Sequence, residues 1–247
     1  MPPLSSPTFG LIQEELASNP FHLLIAVTLL IRTSGRVAIP VFRTLIQKYP
    51  TAFALADDAH TAAIEELLRP LGLGAVRTKM VQKYARMWTR EPPRWGRRFV
   101  VRGYGGHSGS EGEGDEEEEK GKKKKKSKKP SSAWEIGHMT QGPYALDSWR
   151  IFCRDRLRGV SPPSNHPDTD PSAPRGTKKP FQPEWMRVRP RDKELRAYLR
   201  WMWMREGWRW DPNTGAKAVL DEELRVAVEE GRVGYDDRGD LRILEGG

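Results

Sequence analysis

Apolar residues along this chain recur at helical spacing. No stretch alternates with period two over a useful length, so the expected class is all-α. The first helical region runs from about 9 to 100. Leu11, Ile12 and Leu16, with Glu15, mark a short amphipathic helix. In "NPFHLLIAVTLLIRT" Asn19 suits the cap, Pro20 the first helical position and the following Gly35 the stop. "VAIPVFRTLIQKYP" sets Val37, Val41, Leu45 and Ile46 at helical spacing, with Pro40 in the first turn or at a kink. Ile64, Leu67 and Leu68, then Val76, Met80, Tyr84 and Met87, give two further faces. A second region, 133–157, predicts a short helix, a tight turn at Gly142-Pro143 and a helix carrying Leu146, Trp149, Ile151 and Phe152. In a third, 184–230, Leu195, Leu199 and Met202 share one helical face, and another helix spans 218–231. The tail predicts a small hairpin around Asp237-Arg238-Gly239.

Two segments interrupt this order. Residues 104–132 hold seven acids between Glu111 and Glu119 and then eight lysines between Lys120 and Lys129, with no apolar anchor, and are expected to be disordered. The lysine run suits non-specific DNA contact or nuclear import, or else is a solvated linker. Residues 159–182 are proline-rich and read as a loop. The 42 Lys and Arg against 33 Asp and Glu give a net charge of +9, which points to an anionic partner, nucleic acid before membrane. The apolar run "LLIAVTLLI" at 23–31 is too short to span a bilayer and reads as a buried helix. Cys153 is the only cysteine, and His22, His60, His107, His138 and His166 have no metal spacing. No disulfide framework, thiolate metal site or cofactor is expected, and the compartment is expected to be reducing.

The stretch "PEWMRVRPRDKEL" at 183–195 sets one acid, Asp192, among Arg187, Arg189, Arg191 and Lys193. From residue type alone Asp192 is a helix N-cap. The sequence as a whole adds a second reading. "FGLIQEEL" at 9–16, "LLIRTSGRVAIPV" at 29–41, "LLRPLGLGAVRTK" at 67–79, "YALDSWRIFC" at 144–153 and "EWMRVRPRDKEL" at 184–195 resemble, in order, successive blocks of the helix-hairpin-helix DNA glycosylases. Within that family they are most similar to the thymine/uracil mismatch branch that carries a methyl-CpG-binding domain. No such domain precedes residue 9, and no resemblance is seen beyond about 210.

Residues 211–247, with a helix at 218–230, read as an extension. The resemblance implies a two-lobed fold with its active site between the lobes and a catalytic domain over 9–210 with insertions at 104–132 and 159–182. It implies a nuclear, monomeric base-excision repair enzyme that needs no metal, no cofactor and no membrane. Its partner is double-stranded DNA with a mismatched or damaged pyrimidine. The alternative is a helix-hairpin-helix DNA-binding protein without catalysis.

Asp192 matches the family's catalytic aspartate. Glycosidic cleavage builds an oxocarbenium-like cation that a carboxylate stabilises, and the same carboxylate can orient or deprotonate water. Cap and catalyst are compatible roles. Gln13 matches the amide that reads the flipped base, although a lone glutamine is usually an exposed helix residue. Tyr144 borders the pocket where lyase-competent members carry a Schiff-base lysine, which implies a monofunctional enzyme. Arg32 matches the arginine that fills the hole left by the base, and Leu71, Gly72 and Leu73 match a wedge. As ordinary elements these would be a helix-end arginine and core leucines. Arg189 and Lys193 are expected to grip phosphates. The hairpin departs from the family, because Thr140 stands for the first of two glycines, Gly142 for the second, and Pro143 lacks an N–H.

Overall fold

The structure, a computed structural model, describes residues 1–104, 131–159, 182–236 and 240–244. The first half is α1 (Ile12–Glu15), α2 (Pro20–Leu30), α3 (Gly35–Lys48), α4 (Ala52–Ala56), α5 (Thr61–Leu68) and α6 (Gly74–Arg90). Then come β1 (Phe99–Arg102), β2 (Ser131–Trp134), α7 (Pro143–Phe152), α8 (Arg154–Leu157) and α9 (Lys193–Arg205). The C-terminal part is β3 (Trp208–Trp210), β4 (Lys217–Val219), α10 (Glu222–Glu229), β5 (Val233–Tyr235) and β6 (Leu241–Ile243).

The fold is mostly α, as expected, but three two-stranded antiparallel hairpins among the described residues qualify the all-α class. Their strands are three or four residues long, too short to show alternation. The partners β1 and β2 are also separated by the low-complexity segment, with Arg102 paired to Ser131. The expected tail hairpin exists as β5–β6, although its turn at Asp237-Arg238-Gly239 lies outside the described residues.

Apolar composition fixes the centre. Helix α2 is buried almost all round, from Phe21 through Leu29, as its unbroken apolar run requires. Asn19 accepts from the His22 N–H at 3.1 Å and caps it. The main core joins α2 to Phe42, Leu45, Leu55, Ile64, Leu68, Val81, Trp149, Leu195 and Leu199. A smaller core of Met204, Leu224, Ala227, Val228 and Val233 lies under the C-terminal hairpins and meets Met1 and Leu4. Hairpin β3–β4 crosses position 210, so the extension is tied to α9 by a strand pair. Among the described residues no helix is long and apolar enough to cross a membrane.

Several local expectations shift. Gly35 begins α3, and the turn after α2 instead uses Arg32, with φ 57°. Pro40 lies inside α3, and the buried face is Ala38, Phe42 and Leu45, with Val37 exposed. Helix α6 buries Arg77, Thr78 and Gln82 and leaves Val76 exposed. The helix expected before the Gly142 turn does not form, because its residues serve as strand β2 and then turns closed by Gly137 N–H to Trp134 O and Met139 N–H to Ile136 O. Gly137 passes so near β1 that a Cβ would sit 2.3 Å from the Phe99 carbonyl. The helix expected over 218–230 starts only at Glu222, capped by Asp221, because 217–219 is β4. Trp201, Trp203 and Trp210 are core, as expected, whereas Trp208, expected with them, is exposed.

The expected disorder of 104–132 and 159–182 lies outside the described residues except at its edges. Those edges correct the boundary. Tyr104 is buried, and Ser131 and Ser132 belong to β2. A single aromatic next to a long polar run carries no periodic signal, which is why the sequence alone does not separate Tyr104 from the insertion.

Candidate active site

The site grows from a four-residue helix. The Glu14 carboxylate folds back and accepts from the N–H groups of Phe9, Gly10 and Leu11 at 3.0, 2.7 and 2.9 Å. Gly10 takes φ +102°, a conformation that favours glycine, to let those three amides converge. Phe9 then packs edge-on against Tyr198 and Trp201 of α9, each at 5.8 Å. So fixed, α1 turns Gln13 inward, where it is 1% exposed and not the exposed helix residue its type suggests. Its Nε2 donates to Tyr144 Oη at 2.9 Å.

Tyr144 sits in the first turn of α7, behind Gly142 and Pro143. Burial first, then the negative charges of Asp192 and Glu194, hold its phenol above the ordinary tyrosine range. The group is a neutral donor and acceptor at every physiological pH.

Asp192 arrives from the other side. Glu184 anchors its loop, inaccessible and bound to Arg150 Nε and Arg154 Nη1, each at 2.6 Å. Trp185 packs against Trp203 at 5.0 Å, and Val188 and Pro190 are buried. The chain then enters α9 through Asp192, whose Oδ1 accepts from the Glu194 and Leu195 N–H groups at 2.9 and 3.0 Å. The cap reading of Asp192 is therefore met, and its carboxylate remains only partly covered.

A second carboxylate escaped sequence reasoning. Asp147 lies three residues after Tyr144, on the same side of α7. It is buried and accepts from Tyr104 Oη at 2.6 Å. Burial pushes its carboxyl up to about 6, against the opposing Tyr104 hydrogen bond and Arg150 charge, and the Asp192 charge adds to the rise. The Tyr104 hydroxyl also accepts from Arg150 Nη1 at 3.2 Å, so Asp147 leads through Tyr104 and Arg150 to Glu184. Trp134 lies under the Arg150 and Arg154 guanidiniums, at 4.3 and 4.8 Å. The only sequence trace of this network is the Arg150–Arg154 spacing of four, which also fits a solvent-exposed basic face.

The remaining expected residues fall in three groups. Arg32 is exposed in the loop after α2, and Leu73 is 73% exposed just before α6. Leu71 is buried in the core, so of the expected wedge only Gly72 and Leu73 reach the surface. Lys193 is exposed at the start of α9, and Arg189 Nη1 donates to the Thr214 carbonyl at 2.9 Å. At the expected hairpin, Thr140 is buried, its N–H donates to Ile136 O at 3.1 Å, and its hydroxyl accepts from the Gly142 N–H at 3.2 Å. Those two amides are spent within the chain. Cys153 is buried, which pushes its thiol up to about 12.

Over 67 residues the chain is 31% identical to the thymine/uracil-DNA glycosylase of Pyrobaculum aerophilum. The match covers 27% of this chain and 29% of that protein. No family model matches the chain.

Proposed function

We propose that this protein is a monofunctional DNA glycosylase that hydrolyses the N-glycosidic bond of thymine or uracil opposite guanine. The observation that carries the reading is the hydrogen bond between Gln13 and Tyr144, 131 residues apart, beside the charge of Asp192. Similarity to a thymine/uracil-DNA glycosylase supports the same class. In this reading Gln13, Tyr144 and Asp192 receive a base swung out of the duplex. Gln13 keeps its carbonyl oxygen for the base N3–H, and Tyr144 keeps its O–H for a base carbonyl.

As the C1′–N1 bond breaks, its electron pair leaves with the base and positive charge grows on the sugar. The Asp192 carboxylate stabilises that cation. Water then bonds to C1′ and its proton passes to the carboxylate, leaving an abasic site. Two amides already hydrogen-bonded at Thr140 and Gly142 argue against a hairpin built chiefly to hold phosphate, and so against the binding-only alternative. Phosphate contact falls instead to exposed Arg187, Arg191 and Lys193.

The test is incubation with duplexes carrying T·G, U·G or lesions opposite adenine, with and without alkali, and with borohydride. Alkali-dependent cleavage at T·G or U·G without a trapped adduct is expected. No cleavage of any duplex defeats the reading, and a trapped adduct defeats its monofunctional part.

A further inference from the structure

Arg77 is buried at 8% exposure in the first turn of α6, whereas Val76 beside it, which helical spacing places on the apolar face, is exposed. Its partners are carbonyls and a hydroxyl. Nε donates to Gly72 O at 3.0 Å, Nη1 to Leu29 O at 3.1 Å and, at 3.4 Å, to Thr28 O. Nη2 donates to Ile31 O at 3.2 Å and to Thr33 Oγ1 at 2.6 Å. The charge thus sits on the carbonyl end of α2, where the helix dipole favours a cation. Desolvation still lowers the guanidinium from its ordinary range.

These acceptors bracket two strained residues. Arg32 lies between Ile31 and Thr33, and Leu73 follows Gly72. With φ of 57° and 54°, Arg32 and Leu73 are the non-glycine residues with positive φ among the described residues. A left-handed non-glycine residue costs on the order of 1 kcal/mol and persists only where its surroundings hold it. One guanidinium holds both. A planar fork of five N–H donors spans the two loops, which a lysine ammonium with three donors at one point cannot do.

We propose that Arg77 is a positioning residue for base extrusion. It clamps the Arg32 and Leu73 loops into one rigid unit, so that both exposed side chains enter the duplex together at the displaced nucleotide. This rests on the glycosylase reading. Arg77 itself touches no DNA, and its effect is confined to opening the duplex.

The experiment compares single-turnover excision by wild type, Arg77→Lys and Arg77→Met on two substrates. One is a T·G or U·G duplex. In the other the same pair is flanked on both sides by mismatches, so that the base is already unstacked. Misplacement of about 1 Å costs on the order of 100-fold in such sites, and a loss of that order is expected for Arg77→Met on the duplex. On the flanked substrate its rate is expected to return to within about threefold of wild type, since proximity of the loops no longer limits the reaction. Arg77→Lys, which keeps the charge, is expected to follow Arg77→Met and serves alone if the methionine variant does not fold. Equal losses on both substrates mark a merely structural arginine and overturn the proposal, as does a wild-type rate on the duplex. A wild type that excises from neither substrate overturns the glycosylase reading, and this inference with it.

Discussion

Replacing Asp192 by asparagine separates its two roles, because the amide keeps the oxygen that accepts from Glu194 N–H and Leu195 N–H at 2.9 and 3.0 Å. Asparagine caps a helix about as well as aspartate, so stability should change by only a few tenths of a kcal/mol. The charge, however, is lost. A carboxylate about 4 Å from a cationic sugar, at an effective dielectric of about 20, is worth about 4 kcal/mol. That corresponds to about a thousandfold in rate. Asp192→Ala should lose the chemistry and also about 1 kcal/mol of cap. Single-turnover excision from a T·G or U·G duplex, with urea unfolding of the same preparations, reads both effects. The expected pattern is two nearly inactive variants of which only alanine is destabilised. An asparagine variant within tenfold of wild type would remove the carboxylate from the chemistry and leave Asp192 a cap.

Asp147 gives a pH signature. With its carboxyl at about 6 in the fold against 3.8 ordinarily, the native state holds a proton that the unfolded chain has lost between those values. Stability is therefore fully present below about pH 4 and falls as pH rises to about 6, by at most about 3 kcal/mol. Asp147→Asn should flatten that slope in urea titrations at pH 4 to 7, and an unchanged slope contradicts the assignment. Leu73→Gly should relieve a left-handed backbone and leave the melting temperature unchanged or slightly higher, while slowing duplex excision at least about tenfold by removing an apolar wedge. Full activity in that variant would dismiss Leu73 as a wedge.

Helix positions were largely legible, because α5 and α9 bury apolar faces that recur at 3.6-residue spacing and α2 is an unbroken apolar run. The cap at Asn19 and the cap at Asp192 were legible too, being local chemistry. The frames around Gln13, Tyr144 and Asp192 were visible as blocks of sequence, but nothing along the chain said that Gln13 and Tyr144 would share a proton. That contact depends on Glu14 gathering three amides and on Phe9 seating α1 against α9. The short strands were invisible because strand pairing is non-local, with β1 and β2 separated by a long polar insertion.

What only tertiary structure decided is the fate of the polar groups. Pattern reading turns Arg77, Arg150, Arg154, Glu184 and Asp147 outward, since a charge is expensive to bury without a partner. Each is buried here because another segment supplies that partner: the end of α2 for Arg77, Glu184 for both arginines, and Tyr104 for Asp147. Apolar burial depends on spacing that the sequence displays by itself, whereas polar burial depends on which distant groups meet, and only the folded chain brings them together.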